Sequence, residues 1–149
     1  AYVPSAHRLE TVEIIDGIRC VNDSKSTNPD SLARALEALA RPGERRLILI
    51  AGGLDKNLHF APLCPLLKRT VREAFLIGEA RERLAEVWRG SVPYRCCQSL
   101  DSAVAGALEV AAPGDCVLLS PGCASQDMFA NYAERGTVFS ELIRRRLSQ

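Results

Sequence analysis

The sequence predicts an α/β fold: a mostly parallel sheet with helices on both faces and an antiparallel hairpin strand at its N-terminal end. Strand-like and helix-like patterns alternate from residue 18 to the end of the chain, as in right-handed βαβ units. Residues 46–51 (RLILIA) form a continuous apolar run of strand length, which is typical of a buried parallel strand. Asp16-Gly17 separates two apolar runs and indicates a β-hairpin.

The individual elements follow from hydrophobic periodicity and from the turn residues between them. Asn28 followed by Pro29 predicts a helix N-terminus, and Pro42-Gly43 ends the helical pattern that follows. Ser99 likewise precedes a run with apolar residues on one helical face. The predicted strands are 11–15, 18–22, 46–51, 73–78, 94–98 and 115–120, and the predicted helices are 29–41, about 60–69, 81–88, 100–111 and 129–147.

The composition is that of one ordinary globular domain. The chain has 149 residues, of which 47% are hydrophobic and 25% charged. A net charge of +1, with no long apolar run and no secretory leader, argues against nucleic acid and membrane as partners. The six cysteines form no CxxC motif and mostly lie in apolar runs, so we expect reduced thiols and a cytoplasmic protein. Two histidines supply too few ligands for a zinc site, and we expect no bound metal.

Three polar loops follow predicted strands and are candidates for a binding site. They are NDSKSTN (22–28), GGLDKNLHF (52–60) and SPGCASQD (120–127). In an open α/β sheet, ligands bind beyond the carboxyl ends of the strands, so we expect these loops to converge on one edge.

Two of these loops carry a lysine, which distinguishes them from ordinary connections. Gly, Ser, Asn and Asp are common turn formers, so the loops can also be read as plain turns. Lys25 and Lys56 are not required by turn chemistry, and two ammonium groups near helix N-termini suit a carboxylate or a phosphate. The chain has no P-loop motif, and Gly52-Gly53 is not a dinucleotide-binding fingerprint.

Four motifs in register resemble the C-terminal domain of the Mur ligases. They are HRLE (7–10), NDSKSTN (22–28), AGGLDKN (51–57) and LSPGCASQDMFANYAERG (119–136). The resemblance covers roughly residues 7–147. Among these motifs, the DSK-x-TN pattern is the one that discriminates between family members, and it resembles those that add D-glutamate.

This resemblance implies a Rossmann-like domain of a three-domain ATP-dependent ligase. Such an enzyme joins D-glutamate to UDP-N-acetylmuramoyl-L-alanine through an acyl phosphate, in the synthesis of peptidoglycan precursors. ATP and Mg²⁺ would be bound mainly by a central domain that carries the P-loop. We therefore expect residues 1–7 to be an interdomain linker and residues 8–149 to be the amino-acid-binding domain, inactive by itself.

The resemblance also implies roles for individual residues. Five side chains would contact D-glutamate: Lys25, Thr27, Lys56, Ser125 and Tyr132. Four others would face the nucleotide: Arg8, Asp23, His7 and Asn28. It implies no catalytic acid, base or nucleophile in this chain, because the domain fixes the amine by proximity. Tyr132 and Gln126 depart from the phenylalanine and apolar residue that are more usual in the family, so they bear on the shape of the glutamate site.

Two other interpretations remain open from the sequence. The chain can belong to a related amide ligase with another amino-acid substrate, such as a sister Mur ligase or a folylpolyglutamate synthase. It can also be a Rossmann-like binding module that has kept the fold without the chemistry.

Overall fold

The computed structural model describes residues 5–147 and contains one six-stranded sheet with five α-helices. The strands are β1 (Glu10–Ile15), β2 (Ile18–Asn22), β3 (Leu47–Gly52), β4 (Val71–Ile77), β5 (Tyr94–Cys96) and β6 (Cys116–Leu119). The helices are α1 (Pro29–Leu39), α2 (Cys64–Thr70), α3 (Arg81–Val87), α4 (Leu100–Val110) and α5 (Tyr132–Leu147). A 3₁₀ turn at Ala61–Leu63 precedes α2.

The sheet has the strand order β1-β2-β6-β3-β4-β5. β1 pairs with β2 in the antiparallel sense, and every other neighbouring pair is parallel. The predicted fold class, a mostly parallel sheet with helices on both faces and an N-terminal hairpin strand, is confirmed. The order places β6, the last strand in the sequence, between β2 and β3, so their carboxyl ends lie side by side.

Two hydrophobic cores lie on the opposite faces of the sheet. Side chains alternate along β3, so that Leu47 and Leu49 pack with α1, α2 and α3, whereas Ile48 and Ile50 pack with α4 and α5. All six residues of β3 are buried. The fully buried central strand explains why residues 46–51 show no alternation of polar and apolar residues.

The helix starts follow local capping chemistry. Asn28 caps α1, as predicted, and its Oδ1 accepts a hydrogen bond of 2.9 Å from Ser31 N. The predicted start of the last helix at residue 129 is wrong, because α5 begins at Tyr132. Asn131 Oδ1 accepts a hydrogen bond from Glu134 N, and this local contact starts the helix at that point.

The N-terminal segment is partly described. Residues 1–4 of the predicted linker lie outside the described residues. His7, at the end of that predicted linker, contacts the domain: its carbonyl oxygen accepts a hydrogen bond of 2.9 Å from Lys25 N.

All six cysteines are free thiols. Burial raises the pKa of Cys20 and of Cys123 to about 12, so neither is a thiolate at neutral pH. Both behave as small apolar side chains; the apolar run around Cys20 predicts this, whereas Cys123 lies in a polar loop. Among residues 5–147, no helix combines the length and the apolar character that crossing a bilayer requires.

Candidate functional site

The three predicted loops meet at one edge of the sheet. The first loop (residues 23–28) follows β2, the second loop (residues 53–60) follows β3, and the third loop (residues 120–131) follows β6. Gly122 N donates to Ser26 O at 3.1 Å, and Leu54 N donates to Ala124 O at 2.8 Å, so the third loop lies between the other two. A side chain at Gly53 would meet the carbonyl oxygen of Ala124, and glycine therefore permits this close approach. The predicted convergence is confirmed.

Asp23 is a buried carboxylate at the start of the first loop. Its Oδ1 accepts a hydrogen bond of 3.1 Å from Leu9 N, and its Oδ2 accepts one of 2.8 Å from Ser120 Oγ. Burial raises the pKa of this carboxyl, and the two hydrogen bonds oppose that rise. The side chain thus ties the segment before β1 to the first and third loops.

A cation-rich cavity of about 350 Å³ opens beside Asp23. Its charged lining consists of Arg8, Asp23, Lys25 and Arg34, so positive groups outnumber the one carboxylate by three to one. This balance suits a ligand that carries several negative charges, such as a phosphate chain. Arg34 was not predicted from the sequence, although it lies one helical turn after Ser31, which also lines the cavity.

Ser125, on the third loop, has a buried hydroxyl group. Its side chain is 2% exposed, and its Oγ has no hydrogen-bond partner within the described part of the chain. An unpaired buried hydroxyl costs free energy, so a ligand that bonds to it recovers that cost. Ser125 is the predicted site residue whose surroundings point most directly to a ligand.

Tyr132 and His7 flank the first loop. The Tyr132 carbonyl oxygen accepts a hydrogen bond of 2.7 Å from Ser24 Oγ, and the residue as a whole is 36% exposed. The His7 ring meets the Tyr132 ring edge-on, with 6.2 Å between centroids, and its Nδ1 lies 3.0 Å from Asn22 Nδ2. The structure thus brings together two residues that are far apart in the sequence.

The remaining predicted residues lie on the same edge with different exposure. Lys25 and Lys56 are exposed on the first and second loops, and Thr27 is half-buried. Asn28 is exposed and caps α1. Lys25 lines the cavity described above. That Lys25 and Lys56 reach the same ligand stays a prediction.

Arg135 also lies at this edge, although the sequence did not predict a role for it. The side chain comes from the first turn of α5 and is fully buried. Its Nε and Nη2 donate to Ser24 Oγ and Ser24 O at 2.9 and 2.7 Å, and Nη1 donates to Cys123 O at 2.9 Å. Helical spacing places it with Phe139 and Ile143 on the buried face of α5, and that spacing is the signal that could have identified it.

The charge of Arg135 has no carboxylate partner within salt-bridge distance in the described part of the chain. Burial lowers the pKa of its guanidinium to about 10, so the group still carries its charge at neutral pH. By bonding to oxygen atoms of Ser24 and Cys123, this buried cation fixes the first loop to the third loop.

A family model described as "Mur ligase, glutamate ligase domain" matches residues 7–123 of the chain. The UDP-N-acetylmuramoylalanine--D-glutamate ligase of Chlorobium chlorochromatii is 45% identical over 138 residues, which are 93% of this chain and 29% of that protein. The enzyme of the same name from Aquifex aeolicus is 41% identical over 137 residues, 92% of this chain and 32% of that protein. The chain thus spans about a third of the length of these relatives.

Solved structures share the fold at low sequence identity. Escherichia coli FolC in complex with ADP superposes with a TM-score of 0.65 at 21% identity, over 97% of this chain and 33% of that one. The MurF ligase from Thermotoga maritima in complex with ADP superposes with a TM-score of 0.62 at 15% identity, over 98% of this chain and 33% of that one.

Proposed function

The chain belongs to the Mur ligases, as their glutamate ligase domain, and we propose that it positions D-glutamate in an ATP-dependent ligase that extends UDP-N-acetylmuramoyl-L-alanine. The observation that carries this proposal is the meeting of three motif loops on one edge. That edge presents two exposed lysines, and beside them the hydroxyl of Ser125 is buried without a hydrogen-bond partner among residues 5–147. The relatives at 40–45% identity support D-glutamate as the amino acid.

D-Glutamate is a dicarboxylate and requires donors at both ends. Lys25 and Lys56 supply charge-assisted hydrogen bonds, while Thr27 and Ser125 add hydroxyl donors. Tyr132 forms a wall of the same site. With both carboxylates held, the amine faces the activated carboxylate, and the domain accelerates the reaction by proximity and orientation.

The cavity beside Asp23 is the proposed nucleotide-facing side of the domain. Arg8 and Arg34 fit the phosphates of ATP because both are cations that line this cavity. Asp23 lines this cavity. His7 precedes Arg8 in the sequence and Asn28 caps the helix that carries Ser31 and Arg34, so both would complete the proposed face. ATP, with Mg²⁺, supplies the phosphoryl group that activates the substrate carboxylate, and most of its ligands would come from a domain outside this chain. Residues 1–7 would link the two domains and accommodate their closure.

Alanine substitution of Lys25 and of Lys56 in the full-length enzyme tests the proposal. Each should lower kcat/KM for D-glutamate by between about ten- and a hundredfold, because losing a hydrogen bond to a charged group costs roughly 1.5–3 kcal/mol. Lys68→Ala is the matched control, since Lys68 is an exposed lysine on α2. It should leave the kinetics unchanged.

The outcomes separate the alternatives. Unchanged ligation of D-glutamate in both lysine variants would overturn the assigned roles. Ligation of a different amino acid by the wild-type enzyme would favour a related amide ligase. No ligation at all would favour a binding module without chemistry.

A further inference from the structure

The second loop, which carries Lys56, is bound to α3 by a forked ion pair. Arg83 Nε lies 3.2 and 3.0 Å from the two Asp55 carboxylate oxygens, and Arg83 Nη2 lies 2.9 Å from Asp55 Oδ1. Both side chains are about a quarter exposed, at 29% and 26%. The Arg83 guanidinium lowers the pKa of the Asp55 carboxyl, so the pair is ionised at neutral pH.

Asp55 also fixes the backbone on both sides of Lys56. Its Oδ1 accepts a hydrogen bond of 2.8 Å from Asn57 N, and its own N donates to Glu79 Oε1 at 2.9 Å. Asn57 has a φ of +56°, a left-handed conformation that asparagine tolerates and that this contact holds in place. Lys56 therefore sits between two residues whose backbone amides are both bonded to carboxylates.

Arg83 connects this turn to the hydrophobic core. Its Nη1 donates to Leu58 O at 3.1 Å, and its Cζ lies 5.5 Å from the centroid of the Phe60 ring. Phe60 is buried and meets the Trp88 ring edge-on at 6.0 Å. One guanidinium thus holds the second loop at Asp55, Leu58 and Phe60.

Ion pairs between partly exposed side chains usually add little to global stability, so this arrangement calls for another effect. A lysine on a disordered loop loses backbone and side-chain freedom when it binds a carboxylate, and that loss weakens binding. A loop already held in the bound conformation avoids much of this loss. We propose that Arg83, acting through Asp55, is a positioning residue that holds the Lys56 loop ready to bind D-glutamate; this rests on the proposed function.

Arg83→Gln in the full-length enzyme is the principal test. We expect the KM for D-glutamate to rise about three- to tenfold, with kcat less affected. In this variant the loop becomes ordered only when the substrate binds, so the entropy cost of ordering weakens binding. Amide hydrogen exchange in residues 54–58 should become faster in the same variant. Arg83→Lys keeps the charge but not the forked geometry, so its KM should lie between those of Arg83→Gln and the wild-type enzyme.

The chain offers a control in a second arginine that also pairs with a carboxylate and lies over an aromatic ring. Arg95 Nε lies 2.8 Å from Glu73 Oε2, and Arg95 Cζ lies 5.1 Å from the Phe75 ring centroid. This pair joins β4 and β5 and lies outside the three loops. Arg95→Gln should leave both the KM for D-glutamate and the exchange of residues 54–58 unchanged.

A double-mutant cycle shows whether Arg83 acts through Asp55. Asp55→Asn and Arg83→Gln should each raise the KM, and the double variant should raise it no further. If the Arg83→Gln variant shows no cooperative thermal unfolding, it is not folded, and Asp55→Asn then serves as the test. Asp55→Asn keeps the side-chain shape and should raise the KM in the same way. A KM within about twofold of wild type in either folded variant would overturn the inference. Absence of D-glutamate ligation in the wild-type enzyme would instead overturn the proposed function. Amide hydrogen exchange in residues 54–58 would still show whether Arg83 orders the loop.

Discussion

Asp23 and Arg135 are buried charged residues beside the same loop. Burial raises the pKa of Asp23 and lowers the pKa of Arg135, so in both cases it favours the neutral form. Such groups lower stability unless hydrogen bonds compensate, and they concentrate at functional sites. Arg135 bonds to loop oxygens within the domain. Asp23 borders an open cavity lined by three cationic side chains. Arg135 thus acts on the shape of the edge, whereas Asp23 places a negative charge at the wall of the cavity.

Asp23→Asn should make the protein more stable at neutral pH and less active. The amide oxygen can accept from Leu9 N, and the amide nitrogen can donate to Ser120 Oγ, so both contacts survive. Removing the buried charge should raise the free energy of unfolding by up to about 1 kcal/mol, within the range of single stabilising substitutions. Thermal unfolding at pH 7 and kcat/KM for ATP are the measurements.

The pH dependence of this gain follows from the direction of the pKa shift. Because folding raises the Asp23 pKa, the ionised group costs stability above its folded pKa and costs nothing below its unfolded pKa of about 4. The Tm advantage of Asp23→Asn should therefore be largest at neutral pH and vanish as the pH falls below about 4. A less stable variant at pH 7 would show that the carboxylate is a net stabilising group.

At the level of elements, α1 and α4 begin with the same capping box. Asn28 and Ser31 exchange hydrogen bonds with each other's backbone at the start of α1, and Ser99 and Ser102 do so at the start of α4. Both N-terminal residues were predicted from the sequence, because capping depends on residues within one turn. α1 faces the cation-rich cavity, whereas the start of α4 follows β5 at the other end of the strand order.

Asn28→Ala and Ser99→Ala should therefore separate capping from ligand binding. Each should lower the free energy of unfolding by about 1 kcal/mol, the usual cost of losing an N-cap. In the full-length enzyme, Asn28→Ala should also raise the KM for ATP, while Ser99→Ala should not. Denaturant unfolding and steady-state kinetics measure the two effects. Equal kinetics in the two variants would limit Asn28 to its capping role.

For the whole molecule, the sequence predicts most of what depends on local pattern. The strands, the hairpin and the fold class follow from periodicity and turn residues, and the convergence of the loops follows from parallel strands. Contacts between distant residues were not predictable in this way. Arg135 bonds to Ser24, which lies 111 residues earlier in the sequence, and to Cys123. It stands in a stretch, NYAERG, that reads as an exposed helix start. The insertion of β6 between β2 and β3 is likewise a property of the assembled sheet.

The proposed site is open on the side away from the sheet, and this has a consequence for the isolated chain. Lys25, Lys56 and Tyr132 are all exposed, so water competes with any ligand for them. In the proposed enzyme, the acyl phosphate and the groups that exclude water come from other domains. The 149-residue chain should therefore bind D-glutamate with a Kd on the order of millimolar or weaker. Calorimetric titration measures this affinity, with Lys56→Ala as the control that should abolish it, and submicromolar binding by the chain alone would contradict a site shared between domains.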